Sequence, residues 1–147
     1  MLHFVYLTCS FPGVFTSDHW RNVETLELDP DFADYVGEAF KPLGVYLNFW
    51  QPRLKAGSSR RFAVSIVNDY AEGVKGRLAL TIEQASGGPA SRAETPFEVP
   101  ALGQQSYAFE LKIPAVPGDY VVKAAAYPED SLAKTPTISR RQTNVME

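Results

Sequence analysis

The chain has 147 residues, of which 45% are hydrophobic, enough for a domain with its own core. The formal net charge of −3 and the isoelectric point near 5.4 argue against a nucleic-acid partner, which requires a clustered basic face. The adjacent arginine pairs, Arg60-Arg61 and Arg140-Arg141, do not supply such a face, because neighbouring residues of a strand point to opposite sides.

The N-terminal stretch MLHFVYLTCSFPGVFTS is apolar but has no Lys or Arg before its apolar run. A signal peptide needs a basic region there and a small-residue cleavage site, so we do not expect this stretch to be one. No run approaches the roughly 18 apolar residues of a membrane helix, so we expect no membrane contact. Cys9 is the single cysteine, which excludes an internal disulfide but does not decide the compartment.

Residues 16–22 (TSDHWRN) are the place where acid–base chemistry could lie, because Asp18 and His19 are adjacent. General acid–base catalysis needs such groups within hydrogen-bond reach of a substrate. No nucleophile stands in a recognisable frame nearby. The alternative is that Ser17 or Asp18 caps a short helical turn while Trp20 fills a gap beside the core. We therefore predict no catalytic residue.

The stretch ELDPDFADYVGEAFKP predicts an amphipathic helix near residues 30–41. Asp29 is placed to cap it, Pro30 suits its first turn, and Pro42 ends it. One helical face carries apolar side chains at the three-and-four spacing: Phe32, Tyr35, Val36, Ala39 and Phe40. Exposing this face would be costly, so we predict that the helix docks on its own β domain or across a homodimer interface.

Acidic residues cluster at the start of that helix, at Asp29, Asp31 and Asp34, and could suggest a calcium loop. Such a loop needs six or more oxygen ligands and commonly a glycine, whereas a proline and a helix stand here. Acidic residues in a first turn are also favoured by the helix dipole. The other metal-type residues lack metal-binding spacing: His3, His19 and Cys9. We predict no metal and no cofactor.

From Leu43 onward the apolar period changes to two, which predicts strands. Seven segments show it: 43–50, 61–66, 77–83, 95–99, 106–113, 120–124 and 137–143. Prolines beside 95–99 and the polar character of 137–143 predict edge strands, and QPRLKAGSS (51–59) is predicted as a turn. The turns are too short for helical crossovers, which favours antiparallel pairing. We therefore predict a mainly β fold: a seven-stranded antiparallel immunoglobulin-like β-sandwich over residues 43–147. An N-terminal extension, residues 1–42, precedes it. Its predicted core is Leu47, Val64, Ile66, Leu78, Leu80, Phe109 and Val122.

The pattern LKAGSSRRFAVSIVND…KGRLALTIE…VPALGQQSYAFELKIPAVPGDYVVKAAA resembles bacterial immunoglobulin-like modules with fibronectin-type connectivity. EAFKPLGVYLNFWQP followed by FAVSIVNDYAEGVKGRLALTI is similar to the join between barrel and sandwich in glycoside hydrolase family 2, the β-galactosidase and β-mannosidase relatives. The resemblance covers about residues 20–142. It implies a non-catalytic accessory domain in carbohydrate metabolism that packs against a catalytic barrel or a partner chain, in the periplasm or outside the cell. The barrel takes about 250 residues and carries the catalytic glutamates, so no residue here inherits that role.

Sugar-binding modules stack an exposed aromatic side chain on the apolar side of a pyranose, with amides and carboxylates at its hydroxyls. Two groups of residues fit this pattern: Tyr46, Asn48 and Trp50 on the outward side of the first predicted strand, and Asn68, Asp69 and Tyr70 in the turn after the second. We favour the alternative that the helix packs on Tyr46 and Trp50 and buries them, because an amphipathic helix must cover an apolar surface. A free-standing carbohydrate- or protein-binding module therefore stays open beside the accessory domain.

Overall fold

The computed structural model describes residues 9–11, 14–16, 20–22, 24–84, 87–129 and 135–147. The secondary structure of this part of the chain is mainly β, with one short helix. The chain divides into two units, residues 1–37 and 38–147. Within the described ranges, no helix has both the length and the apolar character to cross a membrane.

The first unit contains two short antiparallel hairpins, which the sequence analysis did not predict: β1 (Cys9–Phe11) with β2 (Val14–Thr16), and β3 (Trp20–Asn22) with β4 (Glu27–Leu28). The Asn22 side chain accepts the backbone N–H groups of Glu24 and Thr25, at 2.9 and 3.2 Å, and so stabilises the second turn. Strands of two or three residues are too short to show alternation, so their sequences give no period-two signal. Trp20 lies in β3, and the helical turn predicted at Ser17 or Asp18 falls outside the described residues.

The helix α1 (Pro30–Ala39) begins where the sequence predicts. The Asp29 carboxylate accepts the backbone N–H of Asp31 at 2.9 Å and that of Phe32 at 3.3 Å. This is the N-cap arrangement, in which a side-chain oxygen satisfies free donors of the first turn. The acidic residue therefore has a structural task at this position.

The end of α1 belongs to the second unit and is held there by Glu38 and Lys41. The Lys41 ammonium lies 2.7 Å from the Glu38 carboxylate and donates to the Pro136 carbonyl at 2.8 Å. The other Glu38 oxygen accepts the backbone N–H of Ile138 at 2.7 Å. The helix stops before the predicted end at Lys41, because Pro42 disfavours the α conformation in the residue before it.

The second unit consists of two sheets built from eight described strands: β5 (Leu43–Asn48), β6 (Arg53–Lys55), β7 (Ser59–Asn68), β8 (Val74–Gln84), β9 (Pro89–Val99), β10 (Gln104–Lys112), β11 (Gly118–Pro128) and β12 (Thr137–Met146). The three-stranded sheet has the order β10-β7-β5, and the five-stranded sheet has the order β6-β12-β11-β8-β9. Buried side chains from both sheets form one hydrophobic core, as in a β-sandwich. All predicted core residues are buried: Leu47, Val64, Ile66, Leu78, Leu80, Phe109 and Val122.

The predicted count of seven strands is wrong, because the segment predicted as a turn contains β6. Three residues cannot show alternation, and β6 pairs in parallel with the end of β12, where Arg53 lies opposite Asn144. A parallel pair needs a long connection, and here the intervening strands supply it in place of a helix. β12 is consequently not the predicted edge strand, whereas β9 is an edge strand as predicted.

Two tyrosine hydroxyls fasten the sandwich. Tyr107 on β10 accepts the backbone N–H of Glu98 at 3.1 Å and donates to the Glu98 carbonyl at 3.2 Å, which links the two sheets at one side. Tyr120, near the start of β11, donates to the Val116 carbonyl at 2.9 Å. The second bond is like the tyrosine corner of immunoglobulin-like domains, in which the hydroxyl bonds to the backbone a few residues upstream.

Candidate functional site

The outer face of the three-stranded sheet has no charged side chain in its central rows. Its rows are formed by cross-strand neighbours: Tyr46, Ser65 and Ser106 in one, and Asn48, Ala63 and Ala108 in the next. The first charged row, Arg61 opposite Glu110, lies one step beyond. The term "aromatic face" is used below for Tyr46, Asn48, Trp50, Ser65 and Ser106.

Trp50 is the most prominent side chain of the aromatic face. Its indole N–H lies 3.4 Å from the Tyr46 hydroxyl, and the Arg141 guanidinium lies 4.3 Å from the ring centroid. A guanidinium at this distance over an indole makes a favourable cation–π contact. The Trp50 side chain is nevertheless 67% exposed. Because Arg141 covers one ring face, the exposed surface belongs largely to the other.

The backbone around Trp50 is fixed on both sides. Phe49 is buried, and its ring meets that of Phe62 edge-on at 5.4 Å. On the other side, the Gln51 carbonyl accepts the hydroxyl of Thr143 at 3.2 Å. The segment after β5 is therefore held against the core although it has no regular structure of its own.

Arg141 reaches Trp50 from the other sheet. It occupies a core-facing position of β12, which runs beside β5 where the Leu47 N–H donates to the Ser139 hydroxyl at 3.3 Å. Its Nη1 donates to the Arg140 carbonyl at 2.7 Å, while its buried Nε has no hydrogen-bond partner among the described residues. Sequence analysis missed Arg141, because no periodicity links a residue of the last strand to the end of β5.

The burial that the sequence predicted for Tyr46 and Trp50 is not observed. Tyr46 is 44% exposed, and Asn48 is exposed beside it. The end of α1 that belongs to the second unit is bonded through Glu38 to Ile138 of β12, a strand of the other sheet. The three residues predicted on the outward side of β5 are thus accessible together.

The second predicted group, Asn68, Asp69 and Tyr70, is mainly structural. Asn68 is fully buried, and its amide donates to the carbonyls of Glu72 at 2.7 Å and Pro100 at 2.9 Å, while its oxygen accepts the Tyr70 N–H at 3.0 Å. Both polar atoms of the Asn68 side chain are used in these internal bonds, and the side chain is buried in this structure. An asparagine that bonds the backbone two residues on is typical of turns, and that signal was available in the sequence.

Three turns meet at this end of the sandwich. The Asp69 N–H donates to the Pro42 carbonyl at 2.9 Å, and the Leu102 N–H donates to the Tyr70 carbonyl at 3.0 Å. Three exposed apolar side chains lie in or next to these turns in the chain, and the term "apolar end" denotes them: Phe40 (68% exposed), Val67 (36%) and Leu102 (75%). Leu102 also has a positive φ of 50°, a conformation that side chains branched beyond Cβ rarely adopt.

The outer face of the five-stranded sheet differs, because charged side chains pair across its strands. Glu94 on β9 lies 2.5 Å from Arg77 and also bonds Arg92, and these two guanidinium groups lower the pKa of Glu94. Lys123 lies 2.6 Å from Glu83. Burial alone would raise the pKa of Glu83, but its bonds to Lys123 and Thr81 outweigh this effect and lower it. This surface is termed the ion-paired face.

Asp18 and His19, considered for acid–base chemistry, lie outside the described residues. Among the described residues, no group of three metal-type side chains is placed to hold an ion. The absence of a catalytic centre and of a metal therefore stays a prediction.

The sequence matches no protein-family model and no curated protein. Among solved structures, the β-glucosidase from Listeria innocua in complex with glucose is similar with a TM-score of 0.53 and 16% identity, over 72% of this chain and 16% of that chain. The chain thus matches only a small part of that enzyme. The C-terminal domain of wzt is similar with a TM-score of 0.54 and 15% identity, over 73% of both chains.

The CARDB domain of PF1109 from Pyrococcus furiosus is also similar, with a TM-score of 0.55 and 15% identity, over 71% of this chain and 94% of that one. Identities this low carry information about the fold and not about the activity. These likenesses, which cover 71–73% of this chain, support a mainly β fold of the β-sandwich type.

Proposed function

We propose that the second unit is a non-catalytic accessory domain of a carbohydrate-active protein, and that its apolar end packs against a catalytic barrel or a partner chain. The sequence resemblance to the domain that follows the barrel in glycoside hydrolase family 2 supports this assignment. The likeness to part of a β-glucosidase supports it at the level of the fold. A periplasmic or extracellular location belongs to the same proposal.

The observation that carries the proposal is Leu102. Holding a residue other than glycine in the left-handed region costs of the order of 1–3 kcal/mol. A leucine that is 75% exposed gains almost no burial in return within this unit. Strain of this kind persists where the residue serves a contact. Together with Phe40 and Val67, Leu102 forms a surface of the type that marks protein interaction sites.

The test begins with a search for a barrel-encoding reading frame next to this chain or continuous with it. The barrel so found is mixed with the chain and analysed by size-exclusion chromatography with light scattering. We expect a one-to-one complex that Leu102→Asp separates. Aspartate tolerates a positive φ better than leucine, so the variant should unfold at the same temperature or higher. Val116→Asp is the matched control, because Val116 is 62% exposed but lies beyond the far end of β10. No complex, or a complex indifferent to Leu102→Asp, would contradict the proposal.

A homodimer is the competing use of the same surface, since Phe40 lies at the end of the amphipathic helix. Light scattering of the chain alone distinguishes the two. A monomer is expected under the proposal. A dimer that Phe40→Asp splits into folded monomers would assign the apolar end to a second copy of the chain.

A free-standing carbohydrate- or protein-binding module is the second candidate, favoured by the exposed aromatic face. Genomic context separates the two: a reading frame for a barrel just upstream, or one continuous with this chain, favours the accessory domain. Both candidates predict no hydrolysis of chromogenic glycosides by this chain alone.

A further inference from the structure

We propose that the aromatic face binds a neutral saccharide, with one pyranose ring stacked on the open face of the Trp50 indole. The proposal deepens the second candidate function by naming the binding residue and the class of saccharide, and it is independent of the accessory role, which concerns the apolar end. It rests on the way Trp50 is held, on the polar groups that surround it, and on the lack of charge in the rows beside it.

Trp50 is ordered before any ligand arrives. The buried Phe49 and the bonded Gln51 fix the backbone on either side, and Arg141 and Tyr46 fix the ring. A mobile exposed indole would lose rotamer freedom on binding, whereas this one has lost it during folding. Such pre-organisation is what a shallow binding surface requires, because it offers little buried area.

The shape of the ligand follows from the one-sided exposure of the ring. With Arg141 on one side, a single flat apolar surface is available. A ligand with a flat face of C–H groups and a polar rim fits this surface, since an aromatic ring is apolar on its face and tryptophan is amphipathic as a whole. The small side chains of Ala63 and Ala108 keep the adjoining row low, so an extended ligand can lie across it.

The polar neighbours indicate that the rim of the ligand is uncharged. They are the amide of Asn48 and the hydroxyls of Tyr46, Ser65 and Ser106, the last two 2.8 Å apart. Amides and hydroxyls both donate and accept hydrogen bonds, and sugar hydroxyls do the same. A charged ligand would meet no counter-charge in these two rows, and the next row, in which Arg61 lies opposite Glu110, carries both signs of charge. A pyranose of a neutral saccharide satisfies each of these conditions.

The ion-paired face provides a matched control inside the same unit. Tyr127 lies under the guanidinium of Arg77, 4.5 Å from its ring centroid, much as Trp50 lies under Arg141. Tyr127, however, is half-buried and is surrounded by the ion pairs of Glu94 and Glu83. The two aromatic–arginine pairs therefore differ in exposure and in the charge around them, which are the properties that the proposal needs.

The experiment is native gel electrophoresis of the whole chain in gels that contain soluble polysaccharides. The neutral probes are hydroxyethylcellulose, barley β-glucan, galactomannan, arabinoxylan and dextran, and the acidic probe is polygalacturonate. We expect at least one neutral probe to retard the wild-type chain. Trp50→Ala should weaken that binding by at least about tenfold, the loss of one aromatic contact, while Tyr127→Ala should bind as the wild type.

Trp50→Phe should retain part of the binding. Ala63→Arg should block the binding while leaving Trp50 in place. These two variants keep the test decisive if Trp50→Ala fails to fold. Circular dichroism and thermal melting identify such a failure. The proposal is overturned if none of the neutral probes retards the wild-type chain. It is also overturned if Trp50→Ala and the wild type are retarded equally, or if polygalacturonate alone causes retardation. None of these outcomes depends on a barrel or a partner chain, so the proposed function stands or falls separately.

Discussion

The two outer faces of the sandwich cover the same core but are built differently. On the ion-paired face, Glu94 bonds two arginines from neighbouring positions, and Glu83 bonds Lys123. On the aromatic face, the central rows contain serine, alanine, asparagine and tyrosine, with Trp50 at the end. Ala79 and Ala125 on the first face are buried although they point away from the core, and they line one concavity with the charged side chains of Glu83, Arg92 and Lys123. Ala63 on the second face is exposed.

This difference indicates that the ion-paired face is suited to exposure to solvent, whereas the aromatic face is suited to contact with a ligand. Exposed ion pairs contribute little to stability, but they keep a sheet soluble and specify no partner. A surface without charge keeps its hydrogen-bonding groups free for a neutral partner.

The first prediction sets the scale of the comparison at the shared core. Leu80 is fully buried on β8, so Leu80→Ala should lower the free energy of unfolding by about 2–5 kcal/mol, through lost burial and the cavity left behind. Urea unfolding followed by circular dichroism measures it. Val67→Ala, at a 36% exposed position, is the control and should cost far less. A loss below about 1 kcal/mol for Leu80→Ala would show that the sheets do not share one tight core.

The second prediction compares the two faces directly with one substitution. Ala79→Leu should destabilise the unit by about 1–3 kcal/mol, because the new side chain must displace the charged groups that line the same concavity as Ala79. Ala63→Leu should change the free energy of unfolding by no more than about 0.5 kcal/mol, because Ala63 is exposed. Chemical denaturation of both variants gives the difference. Equal effects would mean that the faces are equally open.

The third prediction, the smallest in size, concerns pH. The pKa of Glu94 in the folded chain lies below its ordinary value of 4.5, because Arg77 and Arg92 bond the charged form. Its contribution to stability is therefore present above that ordinary value and is lost as the pH falls through the lowered pKa. Glu94→Gln removes the contribution, so the variant should lose less stability than the wild type between pH 6 and pH 3.

The matched control for that titration is Ala108→Gln on the other sheet, an exposed position without a titrating group, which should leave the pH dependence of the wild type unchanged. Thermal melts across the pH range measure both variants. If Glu94→Gln lost as much stability at low pH as the wild type, the bonds of Glu94 to Arg77 and Arg92 would not contribute to the pH dependence of folding.

The core and the strands could be predicted from the sequence where apolar and polar residues alternate over five residues or more. Leu78, Leu80 and Ile82 are an example, and all three are buried. β6 was not readable, because three residues carry no period and its partner β12 is distant in sequence. Asn68 was predicted to be accessible to a ligand but is buried, because a polar residue beside a turn looks the same in the sequence whether it faces water or the backbone.

Only part of the candidate site could be predicted from the sequence. Alternation on β5 places Tyr46 and Asn48 outward, and both are exposed. The contribution of Arg141 was not readable, since it depends on how far β12 lies from the end of β5 in space. Pairings between distant segments are decided by packing, which a single sequence does not display.

The parallel pairing of β6 with β12 has a mechanical consequence. The two strands run in the same direction, so tension along the chain through β5 and β12 pulls them in opposite directions and loads their hydrogen bonds in shear. The Asn144 N–H to the Pro52 carbonyl (2.9 Å) and the Ala56 N–H to the Met146 carbonyl (2.7 Å) flank this pairing. Bonds loaded side by side must break together, whereas those of a hairpin open one at a time. Resistance to force is set by the barrier to unfolding and not by the equilibrium stability, so this three-residue strand protects the end of the sandwich against stretching more than its size suggests.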